Sequence, residues 1–190
     1  MKAYIFLADG FEEVEALTTA DLLIRAGVET KLVKVPEGST SGCKAVRGSH
    51  NIKVKPDLTL GEDIAAKDLL DGDCVVLPGG MPGTKNLAAS ADVINTINAY
   101  NNAGKVVAAI CAAPSVLGTN GLLKGKQATC FPGFEDKLIG AEHIPAGAVA
   151  DGNIVTGKSM GSAVTFGLKV IEVLLGKEAA DKTEASIYRG

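Results

Sequence analysis

Among the chain's four cysteines, Cys43, Cys74, Cys111 and Cys130, no two stand at the C-x-x-C spacing of zinc or redox clips. The chain also has no basic excess: the formal net charge is -3, which leaves no electrostatic footprint for nucleic acid. Its apolar runs fall far short of a spanning helix, so no membrane partner is expected. At the start, MKAYIFLADG reaches an acidic residue before a signal-peptide core could develop, which predicts a cytoplasmic protein. There, the cysteines should stay free thiols. Internal repeats, low-complexity tracts and linkers are missing too, so residues 1–190 are expected to form a single domain.

What is there is an alternation of short apolar runs and helical stretches. With 46% hydrophobic and 22% charged residues, 190 residues can bury a core without disulfides or metals. KAYIFLA (2–8) reads as a buried strand ended by Asp9-Gly10. A helical stripe follows from Glu12 to Arg25, with Gly27 as its stop, and then strand ETKLVKV (29–35). Strand, helix, strand in this order is the unit of a parallel sheet. From Pro36 to Asp57 the punctuation changes, and two short runs around Arg47-Gly48 predict a β-ribbon. Further on, the pattern predicts a helix at 61–70, strand CVVLP (74–78), turn GGMPG, a helix near 91–103 and strand KVVAAI (105–110). A helix from Ala112 to Thr119 and a strand in KQATCF come next. AVADGNIVTG predicts a hairpin turning on Asp151-Gly152, and 162–175 a helix.

In a parallel sheet, ligands bind outside the carboxyl ends of the strands. Cys111 sits at such an end, between VVAAI and a predicted helix. Free N–H groups and the helix dipole there favour a thiolate, lowering the pKa from about 8.5 to roughly 5 to 6. The seam resembles a nucleophile elbow, a sharp strand-to-helix turn. A buried structural thiol is the competing reading, and it suffices for Cys74. Pro78-Gly79-Gly80 ends the neighbouring strand, and paired glycines let backbone N–H groups approach an oxyanion. Glu12, Glu13 and Glu15 reach the same rim. Acids in a first helical turn usually complement the dipole, which suffices for Glu12 and Glu13. A carboxyl beside the thiol would have a raised pKa and could shuttle a proton, although spacing does not say which glutamate it is.

LADGFEEVEALT, VVLPGGMPGTKNL, VVAAICAAPSVL, FPGFEDKL and GSAVTFGLKVIEVLLG, in this order over nearly the whole chain, resemble the ThiJ/PfpI superfamily. Within it they look most like the branch of the parkinsonism-associated protein deglycase and its bacterial homologues. The resemblance implies an α/β flavodoxin-like three-layer sandwich with a mostly parallel central sheet, of the class I glutamine amidotransferase-like kind, and a homodimer. It places the reactive cysteine at Cys111, a protonated glutamate at Glu15 and the pocket backbone at Gly79 and Gly80. Arginines matching Arg25 and Arg47 become anion-binding candidates, with surface solvation the alternative, favoured for Arg25. The activity implied is a cysteine-dependent, glutathione-independent glyoxalase or protein deglycase. Its substrates are methylglyoxal-type 2-oxoaldehydes or glycated molecules, and it needs no metal or organic cofactor. Backbone N–H groups near Gly80 and Ala112 would steady the oxyanion.

The chain departs from the pattern at three points. Phe131 stands where the human relative has a histidine, Ala112 follows the cysteine where the peptidase branch has a histidine, and SMGS (159–162) replaces GPGT. A Cys-His peptidase is therefore not expected, and His50 and His143 read as surface or structural residues. A redox sensor or stress chaperone, with Cys111 oxidised to sulfinate, is the rival function. A binding module with an incidental thiol is a third reading. GNIVTGKS (152–159) also matches the phosphate loop G-x-x-x-x-G-K-[ST], a remote nucleotide-binding alternative, although Ile154, Val155 and Thr156 favour a strand.

Overall fold

The computed structural model describes residues 1–36 and 45–188; Cys43 lies outside them. The elements that build the site come early. Strand β1 (Lys2–Leu7) leads through a loop to helix α1 (Glu13–Arg25) and strand β2 (Glu29–Lys34). Val46–Arg47 (β3) and Lys53–Val54 (β4) pair antiparallel as the expected ribbon. Strand β5 (Leu58–Thr59) follows.

The helix predicted at 61–70 is only a 3-10 turn, Ala66–Asp71. Residues before it are held in a turn instead: the Asp63 carboxylate accepts the Thr59 N–H at 2.7 Å, and Gly61 has a φ of 84°. An aspartate that bonds backbone locally competes with helix formation. Strand β6 (Cys74–Leu77) then enters the sheet, followed by helices α2 (Gly83–Ala89) and α3 (Ala91–Asn102), of which α2 was not expected. Strand β7 (Val106–Ile110) precedes α4 (Pro114–Thr119). In KQATCF only β8 (Gln127–Ala128) forms, and it pairs with β9 (Glu142–His143) away from the main sheet. The hairpin is present as β10 (Ala148–Asp151) and β11 (Ile154–Gly157), and helices α5 (Ala163–Leu175) and α6 (Lys177–Ser186) end the chain.

The seven-stranded sheet runs β10-β11-β7-β6-β1-β2-β5, with every neighbouring pair parallel except β10 and β11. Alternating side chains of the central strands feed two apolar clusters. Tyr4, Phe6, Val75 and Val107 pack toward α3 and α4, while Ile5, Val76 and Ile110 pack toward α1 and α5. Two buried faces explain why these strands read as unbroken apolar runs. The result is the expected three-layer α/β sandwich. No helix among the described residues is long and apolar enough to cross a membrane.

The phosphate-loop alternative fails here. Ile154–Gly157 is a strand held parallel to β7 and antiparallel to β10, so its backbone is spent on the sheet and cannot cradle a phosphate. Asp9, in the loop after β1, accepts the Arg47 N–H at 2.7 Å.

Candidate functional site

Cys111 leaves β7 with a φ of 65°. A residue with a Cβ in this left-handed region carries about 1–2 kcal/mol of strain, which neighbouring contacts must offset. Its N–H donates to the Gly157 carbonyl at 2.9 Å, and its own carbonyl accepts the Phe131 N–H at 2.8 Å. Both backbone groups are thus fixed by adjacent segments while the thiol stays partly exposed. This is the expected elbow.

The expected helix start at Ala112 is displaced: Ala112 and Ala113 form a turn, and α4 begins at Pro114 and runs for only 6 residues. The sulfur therefore faces individual amides rather than a helix end. The N–H groups of Ala112 and Gly80 both favour its ionised form. They do not prevail. Burial pushes the Cys111 thiol up to about 12, with the Glu15 carboxylate adding to the rise. The thiolate pKa of roughly 5 to 6 expected from the strand-end position is thereby corrected, because the site is both shielded from water and shared with an acid.

That acid is Glu15, in the first turn of α1 and fully buried. Burial pushes its carboxyl up to about 7, against the opposing pull of the Gly79 N–H and the thiol; Glu12 adds a further push. The Gly79 N–H donates to Oε2 at 2.8 Å, while Oε1 is buried without a hydrogen-bond partner. A buried carboxyl with one occupied and one orphaned oxygen holds a proton readily near neutral pH.

Gly79 and Gly80 are required for different reasons. A Cβ on Gly79 would lie 2.7 Å from Cys111 Cβ and 2.8 Å from Glu15 Oε2, so any side chain would separate the pair. Gly80 has a φ of 87° and is pressed against the backbone of Gly10, Phe11 and Glu12. Since the Gly79 N–H is spent on Glu15, the amides left to face the sulfur are those of Gly80 and Ala112.

The two arginines separate. Arg47 borders the site: its carbonyl accepts the Gly10 N–H at 2.7 Å, and its guanidinium reaches Asn51 at 3.2 Å. Arg25 does not approach Cys111 within one chain. It lies ten residues beyond Glu15, about 15 Å along the helix, and pairs with Asp21 at 2.6 Å. His50 is exposed and pairs with Glu13 at 3.0 Å, and His143 lies exposed on β9. Phe131 is 43% exposed, and its backbone N–H holds the Cys111 carbonyl. Met160–Ser162 of SMGS forms a 3-10 turn after β11.

Sequence reasoning missed Glu13, which is 3% exposed and does far more than complement a dipole. Its partners stand 36 to 39 positions downstream, beyond the reach of any local pattern. Glu12, Glu13 and His50 also bring ligand atoms within 4.8 Å of one another, the group among the described residues best able to gather round a metal ion. In this fold those atoms are engaged with each other and with Ser49.

The chain is similar to known proteins over nearly its whole length. The model of the DJ-1/PfpI family matches residues 1–173. The protein dj-1beta of Drosophila melanogaster is 36% identical over 178 residues, covering 93% of this chain and 90% of that protein. The Caenorhabditis elegans protein named glutathione-independent glyoxalase DJR-1.2 is 31% identical over 169 residues, covering 88% of this chain and 84% of that protein. Among solved structures, oxidized DJ-1 of Toxoplasma gondii superposes with a TM-score of 0.86 at 34% identity, covering 98% of this chain and 97% of that one. Matched by the family model over residues 1–173 and 36% identical to a relative across 93% of its length, the chain belongs to the DJ-1/PfpI family.

Proposed function

We propose that the chain is a cysteine-dependent, glutathione-independent glyoxalase or protein deglycase acting on methylglyoxal-type 2-oxoaldehydes. One observation carries this reading: a fully buried glutamate and a partly exposed cysteine on a strained elbow meet across Gly79. The name of the Caenorhabditis elegans relative supports it.

Burial keeps the thiol protonated at rest, so the Glu15 carboxylate accepts its proton as sulfur adds to the aldehyde carbon. The Gly80 and Ala112 amides steady the oxyanion, which takes that proton to give a hemithioacetal. Glu15 then removes the hydrogen from the former aldehyde carbon and delivers a proton to the neighbouring one. This leaves a 2-hydroxy thioester of Cys111, and water cleaves it to the 2-hydroxy acid and free thiol. Aldehyde plus water equals product, and no electron acceptor is needed. On a glycated carbinolamine, sulfur takes the aldehyde-derived carbon as its C–N bond breaks and the amine leaves carrying the thiol's proton, which gives the same hemithioacetal.

Two copies are proposed to associate through α1, whose Val14, Leu17 and Ile24 remain exposed. Sedimentation would show the mass of a dimer.

The deciding experiment is lactate formation from methylglyoxal without glutathione, comparing wild type with Cys111→Ser and Glu15→Gln. Loss in both variants is expected. Absence of turnover in the wild type, or equal turnover in Cys111→Ser, overturns the reading. A second reading is oxidation of Cys111, supported by its partial exposure and by the oxidized state of the Toxoplasma gondii protein. Two peroxide molecules would convert the thiolate to sulfinate, each leaving as water, and protonated Glu15 would donate to the product. Sulfinate in peroxide-treated protein that lacks aldehyde turnover selects it.

A further inference from the structure

Glu13 invites the question of what its buried charge is for. Taking a carboxylate out of water costs several kcal/mol unless hydrogen bonds replace the solvent. Among the described residues, the side-chain partners it finds outside its own helix come from the ribbon turn. Oε1 accepts the His50 N–H at 2.8 Å and the Ile52 N–H at 3.4 Å, and Oε2 lies 3.0 Å from His50 Nδ1 and 3.2 Å from Ser49 Oγ. Gly48 packs so closely on this carboxylate that a side chain there has no room.

The turn held in this way grips the loop between β1 and α1. The Gly10 N–H donates to the Arg47 carbonyl at 2.7 Å, and the Ser49 N–H to the Phe11 carbonyl at 2.8 Å. The loop in turn bears on the glycines of the site. The Glu12 N–H donates to the Gly79 carbonyl at 2.9 Å, and the space beside Gly80 Cα is filled by Gly10, Phe11 and Glu12 backbone. An unbroken series of backbone contacts thus runs from the Glu13 carboxylate to the amide that faces sulfur.

We propose that Glu13 is a positioning residue for the thiol site: through the Arg47–Ile52 turn it holds the Asp9–Glu12 loop against Gly79-Gly80 and keeps the Gly80 N–H aimed at Cys111. It touches neither sulfur nor substrate. The inference takes Cys111 as the reacting atom, as the functional reading does, but does not require aldehyde turnover.

The test is alkylation of Cys111 by iodoacetamide between pH 6 and 9 in wild type and Glu13→Gln, followed by mass spectrometry, with Lys53→Ala on the same ribbon as a control. Losing one well-aimed hydrogen bond to a developing thiolate slows the reaction about tenfold. Because Glu15 keeps its own bond to Gly79, the inflection near pH 7 that reports its titration is expected to persist. A rate within twofold of wild type overturns the proposal, and so does a fall accompanied by loss of that inflection, which would mean that Glu13 holds up the whole site. If Glu13→Gln does not fold, Ser49→Ala removes one of the carboxylate's partners and is read by the same two criteria. Alkylation reads the thiol directly, so failure of the glyoxalase reading leaves this test intact.

Discussion

Glu13 and Glu15 are two positions apart in the first turn of one helix, and both are buried. Burial alone would raise the pKa of each, yet they move in opposite directions. For Glu13 that effect is outweighed by the His50 side chain and by the backbone N–H groups around it, so its pKa falls and it stays ionised. Glu15 has one backbone donor and an orphaned oxygen, so burial wins. Donor count, not depth, decides which glutamate is a fixed anion and which can carry a proton.

The sharpest way to break this comparison is to neutralise each in turn and measure turnover. Glu15→Gln should lower kcat/KM by about 10²- to 10⁴-fold, the usual worth of a positioned acid-base group. It should also abolish a rise in rate through pH 7. A pH profile unchanged from wild type would remove Glu15 from the mechanism.

Stability against pH separates them next. A carboxyl whose folded pKa is raised from 4.5 to about 7 contributes stability that is fully present below 4.5 and lost as pH rises through 7. Denaturant titrations should show Glu15→Gln gaining about 3 kcal/mol relative to wild type between pH 4.5 and pH 8. For Glu13 the sign reverses. Its depressed pKa contributes stability above 4.5 that disappears as pH falls through the folded value, so Glu13→Gln should approach wild type on acidification. A common slope for both variants would erase the distinction.

Gly79→Ala probes the wall between thiol and acid. Its methyl group would meet Cys111 and Glu15 Oε2 at less than 3 Å, and overpacking of this kind costs about 1–3 kcal/mol. Melting should fall by a few degrees, and alkylation of Cys111 should lose its inflection near pH 7. The smallest effect is expected for Arg25→Ala, whose ion pair with Asp21 is exposed and screened by water. Its thermal melting should be nearly that of wild type.

The legible parts of the molecule were those governed by local rules. Apolar runs and glycine stops placed β1, α1, β6, β7 and the β10-β11 hairpin, and the strand-end rule brought Cys111 to Gly79-Gly80. The family resemblance selected Glu15 among three acids. What escaped depended on tertiary partners: the raised thiol pKa came from burial against Glu15, and the separation of Arg25 from the thiol came from helix length. Helix α2 was hidden by its start inside the glycine-rich turn GGMPG. Glu13 looked like an ordinary first-turn acid because nothing near it in sequence reveals the ribbon it holds.

The complete burial of Glu15 has an isotopic consequence. A base open to water exchanges the hydrogen it has captured before returning it, whereas one sealed beneath the glycine turn exchanges slowly. The hydrogen lifted from the aldehyde carbon should therefore reach the adjacent carbon largely unexchanged. Lactate formed in heavy water should keep protium at its second carbon, a record of how tightly the fold encloses one travelling proton.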